Sequence, residues 1–320
     1  MAVGLHGDPS QDDAGVGDGG GDGAFGDSLL VALAVHSRRE RPVVSELTYL
    51  QAVVLGVLQG LTEFLPVSSS AHLAITQRWL ALEPESLAMH VFDGLVHIGT
   101  AIAVFIVFAA PLRLYGRRLI AELSSDWMGK RYALHILWLG VVATIPTGVI
   151  GVGFKKTFEQ AFGEPVWIGV GLLITGTALA ATARIGRGKR GWKNFAWWRA
   201  VLVGTAQGIA IWPGVSRSGS TICAATFCGL RRRWAGEFSF FIAVPAILGA
   251  TAMKLREAFQ ISAGNTVPIA WGPTTVGAAV SLVVGVVSLR ILLGAVRRAK
   301  LHYFSFYCWA VGALVVAKVL

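Results

Sequence analysis

The stretches LGVLQGLTEFLPVSSSAH, residues 55–72, and VGTAQGIAIWPGVSRSGS, residues 203–220, decide the fold. At a constant offset of 148 residues Gln59-Gly60 superposes on Gln207-Gly208, Ser68 on Ser216 and Ser70 on Ser218, while the prolines miss register by one. In each stretch an apolar run meets a break containing Pro and Ser, and the run that follows is too short to cross a bilayer. Proline removes a backbone donor and breaks a helix, and non-helical backbone at membrane depth is tolerated only inside protein or along a cavity. The pattern predicts two re-entrant helical hairpins, each entering and leaving on one side.

Outward from these hairpins, apolar segments run at about 48–65, 70–81, 89–109, 134–154, 165–182, 198–211, 219–230, 238–253, 273–292 and 303–320. The longer ones approach the ~20 residues that span roughly 30 Å of hydrocarbon. Setting the hairpins aside leaves six spans, three after each hairpin. An odd number per half turns the second half over, which gives the inverted-topology repeat of secondary transporters, whose broken helices meet near the bilayer midplane. The expected fold is an all-α integral membrane protein with repeat halves at about 46–182 and 198–320. Composition agrees: 54% of residues are hydrophobic and 14% charged, against roughly 25% charged in an average soluble domain. So few charges could not cover a water-soluble globule of 320 residues.

The formal charge of +10 is carried by short clusters between apolar runs and not by one continuous face, which argues against a nucleic-acid partner. The clusters read as topology signals. Arg113, Arg117, Arg118, Lys130 and Arg131 follow the third segment; Arg184, Arg187, Lys189, Arg190, Lys193 and Arg199 follow the fifth. Arg231, Arg232 and Arg233, and then Arg290, Arg297, Arg298 and Lys300, complete the rich set. The alternate loops hold only Lys155 and Lys156, then Lys254 and Arg256. The positive-inside rule puts the rich set in the cytoplasm, with the first hairpin and both termini outside and the second hairpin dipping in from the cytoplasm. Residues 1–45 are rich in Gly and Asp and read as a disordered tail. Cys223, Cys228 and Cys308 lie inside apolar segments without metal-ligand spacing and read as packing residues.

Ionisable groups at membrane depth are costly and mark functional sites. The first break gathers Glu63, Ser68, Ser69, Ser70 and His72; the second gathers Ser216, Arg217, Ser218, Ser220 and Thr221. Gln59 lies four residues before Glu63, on the same helix face. Ser69 and His72 fall at the start of a helix, where free N–H groups and the positive dipole end attract an anion. Arg217, at the matching place in the other half, supplies a planar cation suited to phosphate. Together they describe a phosphate site with an acid or base in it. Serines beside proline also cap helices; His90, His97 and His135 read as helix-contact residues; Asp93 fits either a buried pair or the wall of the site.

On these residues the chain resembles the undecaprenyl-diphosphatase family, the bacitracin-resistance lipid phosphatases of bacteria. LQGLTEFLPVSSSAHL at 58–73 is similar to its first signature and PGVSRSGST at 213–221 to its second, P-G-x-S-R-S-x-x-T. FDGLVHIGT at 92–100 and FSFFIAVPAILGA at 238–250 are similar to further family segments. The resemblance covers about residues 46–320. It implies hydrolysis of undecaprenyl diphosphate to the monophosphate at the outer face of the bacterial plasma membrane, recycling the lipid carrier of peptidoglycan synthesis. It implies Glu63, Ser69, His72 and Arg217 as the catalytic set, surrounded by Gln59, Ser68, Ser70, Ser216, Ser218 and Thr221. Two positions depart from the pattern: Gln59 stands where many members have Glu, and Ala71 where Gly is common.

The chemistry expected is attack on the terminal phosphorus by an activated hydroxyl, Ser69, or by water, with Arg217 and backbone N–H groups holding the equatorial oxygens. His72 would accept or donate the proton. Glu63 would orient His72 or hold a divalent cation, Mg²⁺ or Ca²⁺. The implied partners are a polyprenyl diphosphate and membrane lipids, and nothing in the sequence sets an oligomeric state. Inverted repeats with broken helices also build transporters, so a polyprenyl-phosphate flippase is the rival reading. Transport needs no nucleophile, and the company of Glu63, Ser69 and His72 favours the enzyme.

Overall fold

The structure is a computed structural model that describes residues 47–84, 86–124, 131–185, 188–262 and 269–318. The tail expected at 1–45 lies outside the described residues, as do Lys130 and Arg187. The described chain is helical: α1 Tyr49–Thr62, α2 Ser69–Trp79, α3 Leu87–Val107, α4 Ala109–Leu123, α5 Tyr132–Gly153, α6 Lys155–Gly163, α7 Pro165–Ala181, α8 Trp197–Ile209, α9 Arg217–Phe227, α10 Arg232–Ser262, α11 Trp271–Arg297 and α12 Tyr303–Val316. Among the described residues no strand forms beyond one isolated bridge between Arg190 and Leu230.

Five stretches are long and apolar enough to cross a membrane: Leu87–Val107, Tyr132–Gly153, Pro165–Arg184, Arg232–Met253 and Trp271–Arg297. The chain is therefore a multi-pass membrane protein. The sixth span expected, at 303–320, is shorter than the sequence implies, because α12 has only 14 residues. At 1.5 Å per residue that is about 21 Å, short of the roughly 30 Å hydrocarbon core. Left-handed turns at Ala299 (φ 61°) and Lys318 (φ 58°) bound it. The loops after the third and fourth segments are themselves helical, as α4 and α6. Their charged faces, which include Arg113, Arg117 and Arg118 in α4 and Lys155 and Lys156 in α6, kept them out of any apolar count.

Small residues let the helices approach closely, as expected where lipid removes the hydrophobic drive between helices. α1 packs on α11, and a Cβ placed on Gly56 would lie 2.5 Å from the Gly277 carbonyl oxygen. α8 packs on α5 in the same manner, with Gly204 against the backbone of Ala143. Gly56 and Gly60 stand 148 residues before Gly204 and Gly208, so one small-residue face serves both contacts. α3 packs on α10 and on α11, α10 also packs on α5, and α7 pairs with α12. The main core joins Phe64 of the first break to Leu139, Ile222, Phe238, Ile242 and Leu289, all buried. Phe64 meets Phe240 edge to face, with centroids 5.8 Å apart, which anchors the residue next to Glu63.

Candidate active site

Both breaks appear as expected from sequence: α1 stops at Thr62 and α2 starts at Ser69; α8 stops at Ile209 and α9 starts at Arg217. The reversal in the second break falls on Gly214, at φ 85°, which glycine adopts freely. In the first it falls on Ser68, at φ 70°. A side chain rarely tolerates that conformation, and such strain collects at functional sites. The two breaks meet. A Cβ on Gly219, in the first turn of α9, would lie 3.2 Å from the Pro66 side chain, a tight contact that glycine relieves where α9 meets the first break.

Glu63 is the point on which the site converges. It caps the C-terminus of α1, where its N–H donates to the Gln59 carbonyl at 2.9 Å, and its side chain is only 2% exposed. Ser69 Oγ donates to Glu63 Oε2 at 2.6 Å, and Gln59 Nε2 donates to the same oxygen at 3.1 Å. The Arg217 guanidinium pairs with Glu63 Oε1. The Arg217 side chain is 24% exposed, so the cation sits between a buried carboxylate and an opening. Ser69 and Arg217 are 148 residues apart, equivalent positions of the two stretches, and each binds one oxygen of the same carboxylate.

His72 makes no hydrogen bond to Ser69. Its Nδ1 donates to the Ser68 carbonyl at 2.7 Å, since a carbonyl can only accept. That leaves Nε2 as the acceptor for the Tyr307 hydroxyl, 2.7 Å away on α12. The role sketched for Glu63 as the group orienting His72 therefore has no contact behind it; Glu63 faces Ser69 instead. Ser68 and Ser70 hydroxyls lie 3.3 Å apart, and Ser216 and Ser218 repeat that spacing at 3.3 Å. Ser216 caps α9, accepting from the Gly219 N–H at 3.1 Å. Ser68 makes no such cap, so the first-turn N–H groups of α2 stay available to an anion. Thr221 is turned into the protein: it bonds the Arg217 carbonyl at 2.8 Å and the Ser239 hydroxyl.

Sequence reasoning missed two members of this cluster. His97, read as a helix-contact residue, places Nε2 3.7 Å from Glu63 Oε2 with its side chain 21% exposed. Its Nδ1 is held by the Asp93 carbonyl at 2.7 Å, and the Asp93 carboxylate accepts from Gln77 at 2.8 Å. The signal was present, since Asp93 and His97 are four residues apart within FDGLVHIGT. Tyr307 carried no local signal. Gln207, the repeat partner of Gln59, donates to Thr147 Oγ1 and the Ile242 carbonyl and belongs to helix packing.

A half-buried serine hydroxyl on a buried carboxylate, a guanidinium on that carboxylate's other oxygen and a helix N-terminus without a side-chain cap bring together the groups that an anion site with a nucleophile and a base requires. The family model of the bacitracin resistance protein BacA matches residues 52–314. The chain is 40% identical over 278 residues to an undecaprenyl-diphosphatase of Alkaliphilus metalliredigens, covering 84% of this chain and 98% of that protein. It is 39% identical over 271 residues to one from Alkalilimnicola ehrlichii, covering 81% and 92%. A third, from Halorhodospira halophila, is 38% identical over 276 residues, covering 83% and 96%. Matched across most of its length by both the family model and these relatives, the chain belongs to the BacA family of bacitracin resistance proteins.

Proposed function

We propose that the protein hydrolyses undecaprenyl diphosphate to undecaprenyl phosphate and inorganic phosphate, as the names of its relatives describe for them. The observation that carries the chemistry is the Ser69 hydroxyl 2.6 Å from Glu63 Oε2, with Arg217 on the other oxygen. Ser69 Oγ attacks the terminal phosphorus while its proton passes to Glu63, and the bond from that phosphorus to the bridging oxygen breaks. Undecaprenyl phosphate leaves, and water then releases inorganic phosphate from Ser69. Arg217 spends part of a five-donor fork on Glu63 and turns the remaining donors to the phosphoryl oxygens. His72, with Nε2 bridged to the partly exposed Tyr307, lies one turn along α2 and serves proton transfer to the leaving side.

Among the described residues no three His, Cys, Asp or Glu side chains cluster to hold a metal ion. Both Glu63 oxygens are engaged, by Arg217 and by Ser69 with Gln59, so a hard cation held by Glu63 and the buried, unpartnered Gln59 Oε1 would have to displace one of these contacts and take its other ligands from the substrate's own oxygens. Bound there, Mg²⁺ or Ca²⁺ would supply neutralisation of the diphosphate charge.

The inverted repeat belongs to the same proposal. Exchanging α1 with α8, α3 with α10, α5 with α11 and α7 with α12 turns the α1–α11 contact into α8–α5 and the α3–α11 contact into α10–α5, and it leaves α3–α10 and α7–α12 unchanged. With the basic loops in the cytoplasm, the first hairpin and Glu63 open to the extracytoplasmic face of the plasma membrane, in a single membrane domain of residues 46–320. A flippase would need the repeat but no hydroxyl on a carboxylate. Purified protein in detergent, without a sealed membrane, should release phosphate from undecaprenyl diphosphate; binding without release would favour transport.

A further inference from the structure

Away from Glu63 the structure contains a cavity of about 1360 Å³ between α3, α4, α5, α10 and the loop before α8, and none of the site residues lines it. Small-molecule pockets hold roughly 300–1,000 Å³, so this space is wide for a compact polar ligand. Its body is hydrocarbon, and several of its apolar walls, among them Phe105, Leu137 and Ile145, are exposed. Exposed apolar walls on membrane helices face lipid. One end is different in kind: Arg118, Lys189, Lys193, Arg231 and Arg233 line it together with a single carboxylate, Glu237.

That carboxylate is spoken for. Arg233 Nε donates to Glu237 at 2.9 Å, and Arg118 lies 3.5 Å from Glu122. Lys189, Lys193 and Arg231 have no carboxylate partner among the described residues. Lys193 Nζ sits 4.4 Å above the Tyr132 ring and Arg118 5.2 Å from it, so both cations are steered to the cavity mouth by one aromatic side chain. An apolar chamber open to the bilayer with three uncompensated cations at one end is complementary to an amphiphile that has acyl chains and a net negative head. We propose that this cavity is a binding site for an anionic phospholipid of the surrounding bilayer, with its phosphate held by Lys189, Lys193 and Arg231 and its chains in the cavity.

The test is native mass spectrometry of the full chain in detergent, titrated with palmitoyl-oleoyl phosphatidylglycerol or with phosphatidylcholine bearing the same chains. The proposal expects phosphatidylglycerol to be retained preferentially, and Lys193→Gln and Arg231→Gln each to weaken it about fivefold, the share of one basic residue near a membrane surface. Phosphatidylcholine, whose choline cancels the charge of the same phosphate, should be weakened less than phosphatidylglycerol by either change. Gly148 lines the cavity and an added Cβ there meets nothing within 4 Å. Gly148→Phe should therefore narrow the chamber from a position whose Cβ meets no neighbour, and lower retention of both lipids. All three variants should release phosphate from undecaprenyl diphosphate at the wild-type rate, which keeps this site separate from the hydrolytic one. Equal retention of the two lipids, or selectivity surviving loss of both cations, would overturn the proposal. So would one-for-one displacement of phosphatidylglycerol by undecaprenyl phosphate at lower concentration, which would give the cavity to the reaction product.

Discussion

Ser69 and Arg217 occupy equivalent positions of the two repeated stretches, yet one is a neutral hydroxyl and the other a fixed cation. Glu63 uses the difference: it accepts a proton-bearing group on one oxygen and a permanent charge on the other. Removing the hydroxyl leaves Arg217 and the α2 N-terminus in place and takes away the atom proposed to attack. Ser69→Ala should keep the fold and substrate affinity and lose at least about 10³-fold in turnover, the scale of losing a nucleophile. A variant that keeps turnover within about threefold of wild type would assign the attack to water. Gln59, Glu63, Ser69 and Arg217 were legible because the repeat and the cost of buried charge single them out together. His97 and Tyr307 were not, because their contacts with Glu63 and His72 come from how α3 and α12 pack, and spacing along the chain does not encode that.

Helix α4 shows what charge does at the level of an element. Arg131 gives no side-chain cap to α5, so the first N–H groups of that helix need an acceptor. Glu122, near the end of α4, supplies it, with Oε2 3.0 Å from the Leu134 N–H. Burial works to raise the Glu122 carboxyl, but the N–H groups of Ala133, Leu134 and Tyr132 and the Arg118 charge outweigh it and hold the carboxyl below its ordinary value of 4.5. A lowered pKa in the folded state gives stability that is present above the unfolded value and lost as pH falls through the folded one. Glu122→Gln should thus melt below wild type in detergent at pH 7, and the gap should close on acidification below the ordinary carboxylate range. A gap that does not change with pH would mean the carboxylate charge does not matter to this cap. No apolar count could show α4, since Arg113, Arg117, Arg118 and Glu122 interrupt its apolar residues, whereas the breaks at Pro66 and Pro213 were plain from the sequence.

For the whole molecule, the sequence repeat shows in the packing of two helix pairs, because glycines at the same offset, Gly56 with Gly60 and Gly204 with Gly208, make both close contacts, though the alignment alone did not name the helices they meet. The length of the last span was not legible: residues 303–320 are apolar almost throughout, and the turn that ends α12 lies inside that run. Orientation makes a separate prediction. With the three native cysteines removed, a cysteine at Lys156 should react with an impermeant thiol reagent in intact cells, and one at Lys189 only after lysis. The reverse pattern would turn the protein over.

The central claim is that one catalytic unit is assembled from both halves, with Glu63 from the first break and Arg217 from the second. Residues that act as a unit do not lose activity additively. The most direct measurement is phosphate release from undecaprenyl diphosphate by Glu63→Asp, Arg217→Lys and the double variant, each with the same fold in detergent. Each single change should cost about 10²-fold by misplacing a charged contact on the reacting group, and the double variant should be no slower than about tenfold below the worse single one. Losses that multiply, to about 10⁴-fold in the double variant, would show two independent contributions and contradict the shared site.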